Sequence, residues 1–184
     1  MKIKPITIIA LIVLASLGVY FYSTRDVAKS TISLQNHESQ TTDEFSPTRE
    51  LRQGEQFVES MGLYVTIPEG MSFRQDPVND RAVNFYIESD PEDEPSYQLY
   101  VVYQPNTQVT EEGFEQTKQD MEPQTIQEAV VGGHSGIEGL VVGPKARFYT
   151  VVAKDGRPLS FSTIPPTEEN KEITKQILST VSFD

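Results

Sequence analysis

The sequence predicts an α+β fold, a mostly antiparallel β-sheet flanked by helices and preceded by one transmembrane helix. Three observations carry this. Between residues 56 and 164, short segments with apolar residues at every second position recur between turn residues. Only two stretches, 109–121 and 168–179, switch to helical spacing, so the order is strands, helix, strands, helix rather than the strict alternation of a parallel sheet. Residues 5–24 form twenty consecutive uncharged positions, mostly Ile, Leu, Val and Ala.

As a helix, that run would reach about 30 Å, the thickness of a bilayer's hydrocarbon core. Lys2 and Lys4 precede it, which keeps the amino terminus in the cytoplasm and sends the rest across. Tyr20, Phe21 and Tyr22 close the far end, where aromatic rings favour the headgroup layer. A cleaved secretory signal is the alternative, with Ser16 and Gly18 as a weak cut site. The apolar run continues through Val19 to Tyr22, which suits an anchor better. Both readings place the following domain outside the cytoplasm; the anchor reading makes it a single-pass protein of the cytoplasmic membrane.

Three regions follow: residues 1–24 as anchor, 25–55 as a polar linker and 56–184 as the folded domain. The linker is rich in Ser, Thr, Gln and acids and has no sustained apolar period, so it offers too little apolar surface to offset ordering entropy. The domain, about 130 residues long, is near the commonest domain size and can bury a core without covalent staples. The chain has no Cys, which excludes disulfides, thiolate metal sites, a cysteine nucleophile and a lipidated cysteine. Net charge is −12, and residues 1–24 carry +2, leaving −14 on the exported part. Such a field repels nucleic acid and anionic lipid.

Within the domain, residues 56–60 and 63–67 flank Met61-Gly62 as a hairpin, and Pro68-Glu69-Gly70 ends the second strand. Residues 71–75 read as a short return. A strand spans 82–89, with Val83, Phe85 and Ile87 on one face. In 97–104, Leu99, Val101 and Tyr103 alternate with Tyr100 and Val102; apolar on both faces, it is expected to be covered on both and to lie at the sheet's centre. Thr110 caps the first helix, Glu111 and Glu112 suit its positive end, and Val109 and Phe114 have the spacing of a hydrophobic staple. Only Phe114, Thr117 and Met121 are placed to face inward. Strands are then expected at 125–131, 136–142, 146–153 and 159–164, with Asp155-Gly156 turning the last pair. Pro165-Pro166 stops the sheet and Thr167 caps the closing helix, whose Ile173, Ile177 and Val181 recur every four residues beside Leu178.

Two stretches carry a resemblance. Gly62-Leu63-Tyr64-Val65-Thr66-Ile67-Pro68-Glu69-Gly70-Met71 looks like the opening strand, proline and bend of the PsbP-like superfamily, and Gln176-Ile177-Leu178-Ser179-Thr180-Val181-Ser182-Phe183 like its closing helix and terminal aromatic. From Phe57 to Phe183 the chain resembles that superfamily, which includes an extrinsic protein of photosystem II, a Ran-binding nuclear protein, DcrB-like periplasmic lipoproteins and many anchored bacterial proteins. The resemblance implies a sheet flanked by helices and a non-enzymatic accessory role; it supplies no catalytic residue. Two positions depart from the pattern: Met71 stands where Trp is usual, and a spanning helix replaces the lipid-bearing Cys.

The candidate sites are few. In Gly132-Gly133-His134-Ser135-Gly136, a G-x-S-x-G elbow read from Gly133 would need glycine where Ile137 stands, and strand flanks it on both sides, so a glycine-rich hairpin is expected. His37, in the linker, is the only other histidine. Asp90, Glu92, Asp93 and Glu94 crowd one loop that lacks EF-hand spacing and reads at most as a weak cation loop. Lys145, Arg147, Lys154 and Arg157 form a local basic stretch on an acidic domain, a candidate docking patch for an acidic partner, with Arg147 and Tyr149 on one face. No cofactor fingerprint appears. The function expected is a membrane-anchored, extracytoplasmic, non-enzymatic module that binds another envelope protein. The alternatives are a small-ligand or cation binder and a carboxylate-based hydrolase.

Overall fold

A computed structural model describes residues 46–79, 81–89 and 96–184. The expected anchor at 5–24, His37 and the acidic loop with Asp90, Glu92, Asp93 and Glu94 lie outside the described residues. Among those described, no helix is long and apolar enough to cross a membrane.

Ten strands and two helices follow in order: β1 Glu55–Val58, β2 Leu63–Thr66, β3 Ser72–Gln75, β4 Val83–Glu88, β5 Gln98–Tyr103, α1 Glu111–Gln119, β6 Gln127–Val131, β7 His134–Val141, β8 Arg147–Lys154, β9 Arg157–Ile164, α2 Glu168–Ser179 and β10 Ser182–Phe183. They build two sheets, β1-β2-β10 and β3-β4-β5-β9-β8-β7-β6, with every pair antiparallel. The α+β, mostly antiparallel expectation holds.

The turns obey local chemistry. Asp155 and Gly156 both take positive φ, 52° and 73°, closing the β8–β9 hairpin in two residues. Gly132 and Gly133 do the same for β6–β7, and a Cβ on Gly132 would lie 2.4 Å from the Phe183 ring, so only glycine fits. Both helices start on a threonine whose hydroxyl accepts a backbone N–H, Thr110 from Gly113 and Thr167 from Asn170.

The core lies between the small sheet with α2 and one face of the large sheet. Val58, Met61, Leu63 and Val65 from the small sheet meet Phe85, Ile87, Leu99, Val101, Leu159 and Phe161 from the large one, and Ile177 and Val181 complete the cluster.

Three expectations are corrected here. The Pro68–Gly70 bend carries the chain out of the small sheet, so β3 pairs with β4 instead of returning along β2. β9 occupies the middle of the large sheet, and β5 lies beside it. Finally, β5 is covered on one face only: Leu99, Val101 and Tyr103 are buried, while Tyr100 and Val102 are half-buried. The reason is that the small sheet and α2 stack on the same face. On the other, α1 buries no residue of its own, and only Met121 beyond it packs down, against Gly139.

The chain entering the domain is also tied down. Arg49 makes a bidentate pair with Glu55 at 2.6 and 2.7 Å and lies 4.0 Å over the Tyr64 ring, while Thr48 donates its N–H to the Tyr64 hydroxyl. The Thr48 hydroxyl in turn donates to Asp184. Among the described residues, contacts to the domain begin at Thr48, inside the stretch assigned to the linker.

Candidate binding face

On the other face of the large sheet, side chains gather without a layer of described residues above them. Antiparallel register sets one row across five strands: Arg74, Tyr86, Tyr100, Ser162 and Tyr149, contributed by β3, β4, β5, β9 and β8. Tyr86 and Tyr100 stack at 4.7 Å with 22° between their planes, which is the spacing of neighbouring strands. The next row holds Asn84, Val102, Ser160 and Val151.

The two ends of the long row differ. At the β3 end, Arg74 lies 3.9 Å over Tyr86 and is matched by acids, Asp76 at 2.8 Å and Glu88 at 3.6 Å. The Tyr86 hydroxyl donates to Asp76, and burial, reinforced by Tyr100 and Asp76, pushes its pKa up to about 12. At the β8 end the face sinks into a groove of about 650 Å³. Tyr100, Val102, Ser160 and Ser162 line it from β5 and β9, and Lys145, Arg147 and Tyr149 line it from the start of β8. Pro144, Pro158 and Ile164 add rigid apolar surface. Among the described residues that line it, none is a carboxylate. Arg147 lies 5.2 Å over the Tyr149 ring and donates to the Lys145 carbonyl, and no carboxylate among the described residues lies within salt-bridge distance of it.

The basic stretch of the sequence is therefore split. Lys145 and Arg147 reach the groove, but Lys154, an odd number of residues along the same strand, points to the opposite face. There it is buried, paired with Asp155 at 2.8 Å and held 5.1 Å from the Phe183 ring. That pairing holds the Asp155 carboxyl below its usual range. Arg157 sits across the hairpin from Lys154 and shares its face. His134 and Ser135 likewise alternate: His134 meets Phe183 edge-on at 4.9 Å, and Ser135 is exposed on the other side.

A second polar cluster was not visible in the sequence. The Tyr97 hydroxyl bonds to Thr174 at 3.0 Å, and Thr174 to Thr163 at 2.6 Å, all inside the core beneath α2. Asn170 donates to the carbonyls of Ser96 and Pro165. Burial pushes the Tyr97 pKa up to about 12, so its hydroxyl stays neutral. The cavity beside Thr163 and Thr150 is only about 20 Å³, room for roughly one water molecule. This cluster positions α2.

Among the described residues, no three acidic or histidine side chains cluster closely enough to hold a metal ion. Comparison of the chain with family models, with curated proteins and with solved structures finds no match in any of the three.

Proposed function

We propose that this chain is a non-enzymatic binding module of the bacterial envelope, anchored in the cytoplasmic membrane through residues 5–24, with the open face of its large sheet turned to a protein partner. The observation that carries the reading is the uncovered half of β5. Tyr100 and Val102 sit half-buried at a groove with tyrosine, serine and two cations around it, beside the middle strand of a sheet whose other face carries the core. Tyrosine and arginine dominate the energetics of protein interfaces, because each presents a large contact area with a polar tip.

The PsbP-like assignment belongs to the same proposal. Its two carrying stretches lie side by side, because β10 pairs with β2 through Ser182 with Tyr64 and Phe183 with Leu63. That adjacency supports reading them as one structural motif. The small-ligand alternative shares the groove, whose volume falls in the range of ligand sites.

The test is site-specific photo-crosslinking in intact membranes. A crosslinker at Ser160 in the groove should capture a discrete partner, while one at Glu172, exposed on α2, should not. Equal yields from both positions would defeat the binding-face reading. Protease added outside membranes with permeable outer layers should digest residues 46–184; full protection would defeat the topology.

A further inference from the structure

We infer that the groove's occupant is a single acidic peptide segment that also carries aliphatic side chains, held through Arg147. This rests on the open face being the binding face. The argument begins with charge. The chain carries 27 acids against 15 basic residues, yet the groove is lined by Lys145 and Arg147 and by no carboxylate. The same face shows what an internally satisfied cation looks like, since Arg74 has both Asp76 and Glu88. Among the described residues, Arg147 meets the Lys145 carbonyl and the Tyr149 ring and no carboxylate. A guanidinium at the rim of an apolar groove is matched by a carboxylate arriving from outside, which it can hold with two parallel hydrogen bonds.

Apolar lining and width define the rest. Val102, Pro158 and Ile164 add aliphatic surface to the groove that Lys145 and Arg147 also line, so the complementary ligand carries aliphatic side chains beside its acids. From β5 across β9 to β8 is two strand spacings, about 10 Å, the width of one polypeptide segment with its side chains. The geometry disfavours a glycan. Tyr86 and Tyr100 stack along the sheet, so they stand upright and offer edges rather than the flat ring face on which a sugar packs.

The full chain in mild detergent would be titrated with a fluorescent peptide of alternating glutamate and valine, read by anisotropy. It should bind about ten-fold or more tightly than its glutamine–valine counterpart, a difference of about 1.4 kcal/mol. Arg147→Gln should weaken the glutamate peptide by a similar factor, Arg147→Lys by less, and Lys118→Gln, half-buried on α1 and paired with Glu115, not at all. An unchanged melting temperature would show that Arg147→Gln still folds. Equal affinity for the glutamate and glutamine peptides, or indifference to Arg147→Gln, overturns the inference. So does tighter binding of oligogalacturonate, an acidic glycan, than of the glutamate peptide. If Ser160 crosslinks a protein while no acidic peptide binds, the ligand class fails and the binding face stands; if neither occurs, both fail.

Discussion

The two faces of the seven-stranded sheet are made by the same strands and alternate residue by residue, yet they are built to different rules. Along β5, Leu99, Val101 and Tyr103 vanish into the core while Tyr100 and Val102, their immediate neighbours, stay half-buried. The covered face is aliphatic and aromatic with a few fully bonded hydroxyls. The open face is tyrosine, serine and arginine, residues that tolerate water on one side and contact on the other. The two helices show the same division. α1 and α2 share a threonine cap and two acids in the first turn, so local signals start both equally well. Only α2 carries an apolar stripe, and only α2 is bound into the core. A helix's existence is thus set at its end, and its place in the fold by its spacing.

The largest effect expected from this contrast is on the covered face. Ile177 is 1% exposed and packs within the main core cluster. Ile177→Ala removes a buried side chain and should destabilise the domain by about 2–5 kcal/mol, read as a urea-unfolding midpoint shift at unchanged m. A loss below about 0.5 kcal/mol would mean that α2 does not cover the face.

Next comes the hydroxyl chain beneath α2. Thr174 is the shared partner of Tyr97 and Thr163. Thr174→Val keeps the shape but leaves two buried hydroxyls short of a partner, and should cost about 1–3 kcal/mol. Thr174→Ser, which retains the oxygen, should recover most of it. If the valine variant is as stable as the parent, the chain of hydroxyls contributes no net stability.

The covering layer can also be loosened at its edge by pH. Hydrogen bonds from Arg49, then from the Arg52 N–H, hold the Glu55 carboxyl down at about 2. Because the folded pKa is depressed, the stabilisation is present in full above the ordinary carboxylate range and is lost as pH falls towards 2. The melting temperature of Arg49→Gln should therefore lie furthest below the parent's above about pH 5, with the gap narrowing as acid is added. A gap independent of pH would assign Arg49's role to packing over Tyr64 alone.

How much of this was legible beforehand follows from where each signal lives. Thr167, Glu168 and Glu169 with Ile173, Ile177 and Val181 write α2 locally, and Asp155-Gly156 writes its hairpin in two residues. Sheet membership is not local. Nothing within Met71–Gln75 says that it joins β4, and nothing near Phe183 says that it joins β2, because those choices depend on segments distant in sequence. The binding face has the same character. Arg147 beside Tyr149 is an alternation visible in one strand, but the row from Arg74 to Tyr149 exists only once five strands are in register. Lys154 was grouped with Arg147 by proximity, although their odd spacing within one strand already separates them onto opposite faces. The apolar character of Tyr100 and Val102 suggests a second cover because sequence alone cannot distinguish a fully buried position from a half-buried one.

The smallest effect on stability is expected where the binding effect is largest. Arg147 is half-buried at the groove's rim, stacked over Tyr149 and, among the described residues, bonded to the Lys145 carbonyl, itself part of the exposed turn before β8. Removing its charge breaks no ion pair among the described residues and opens no cavity, so Arg147→Gln should change stability by less than about 0.5 kcal/mol. Its counterpart at the other end of the row is the control. Arg74→Gln strips Glu88, 6% exposed, and Asp76 of their cation, and should cost measurably more. Urea unfolding of the two variants side by side decides the matter. If Arg147→Gln is the more destabilising, the groove's cation is holding the fold together, and the open face loses its claim to be kept for a partner.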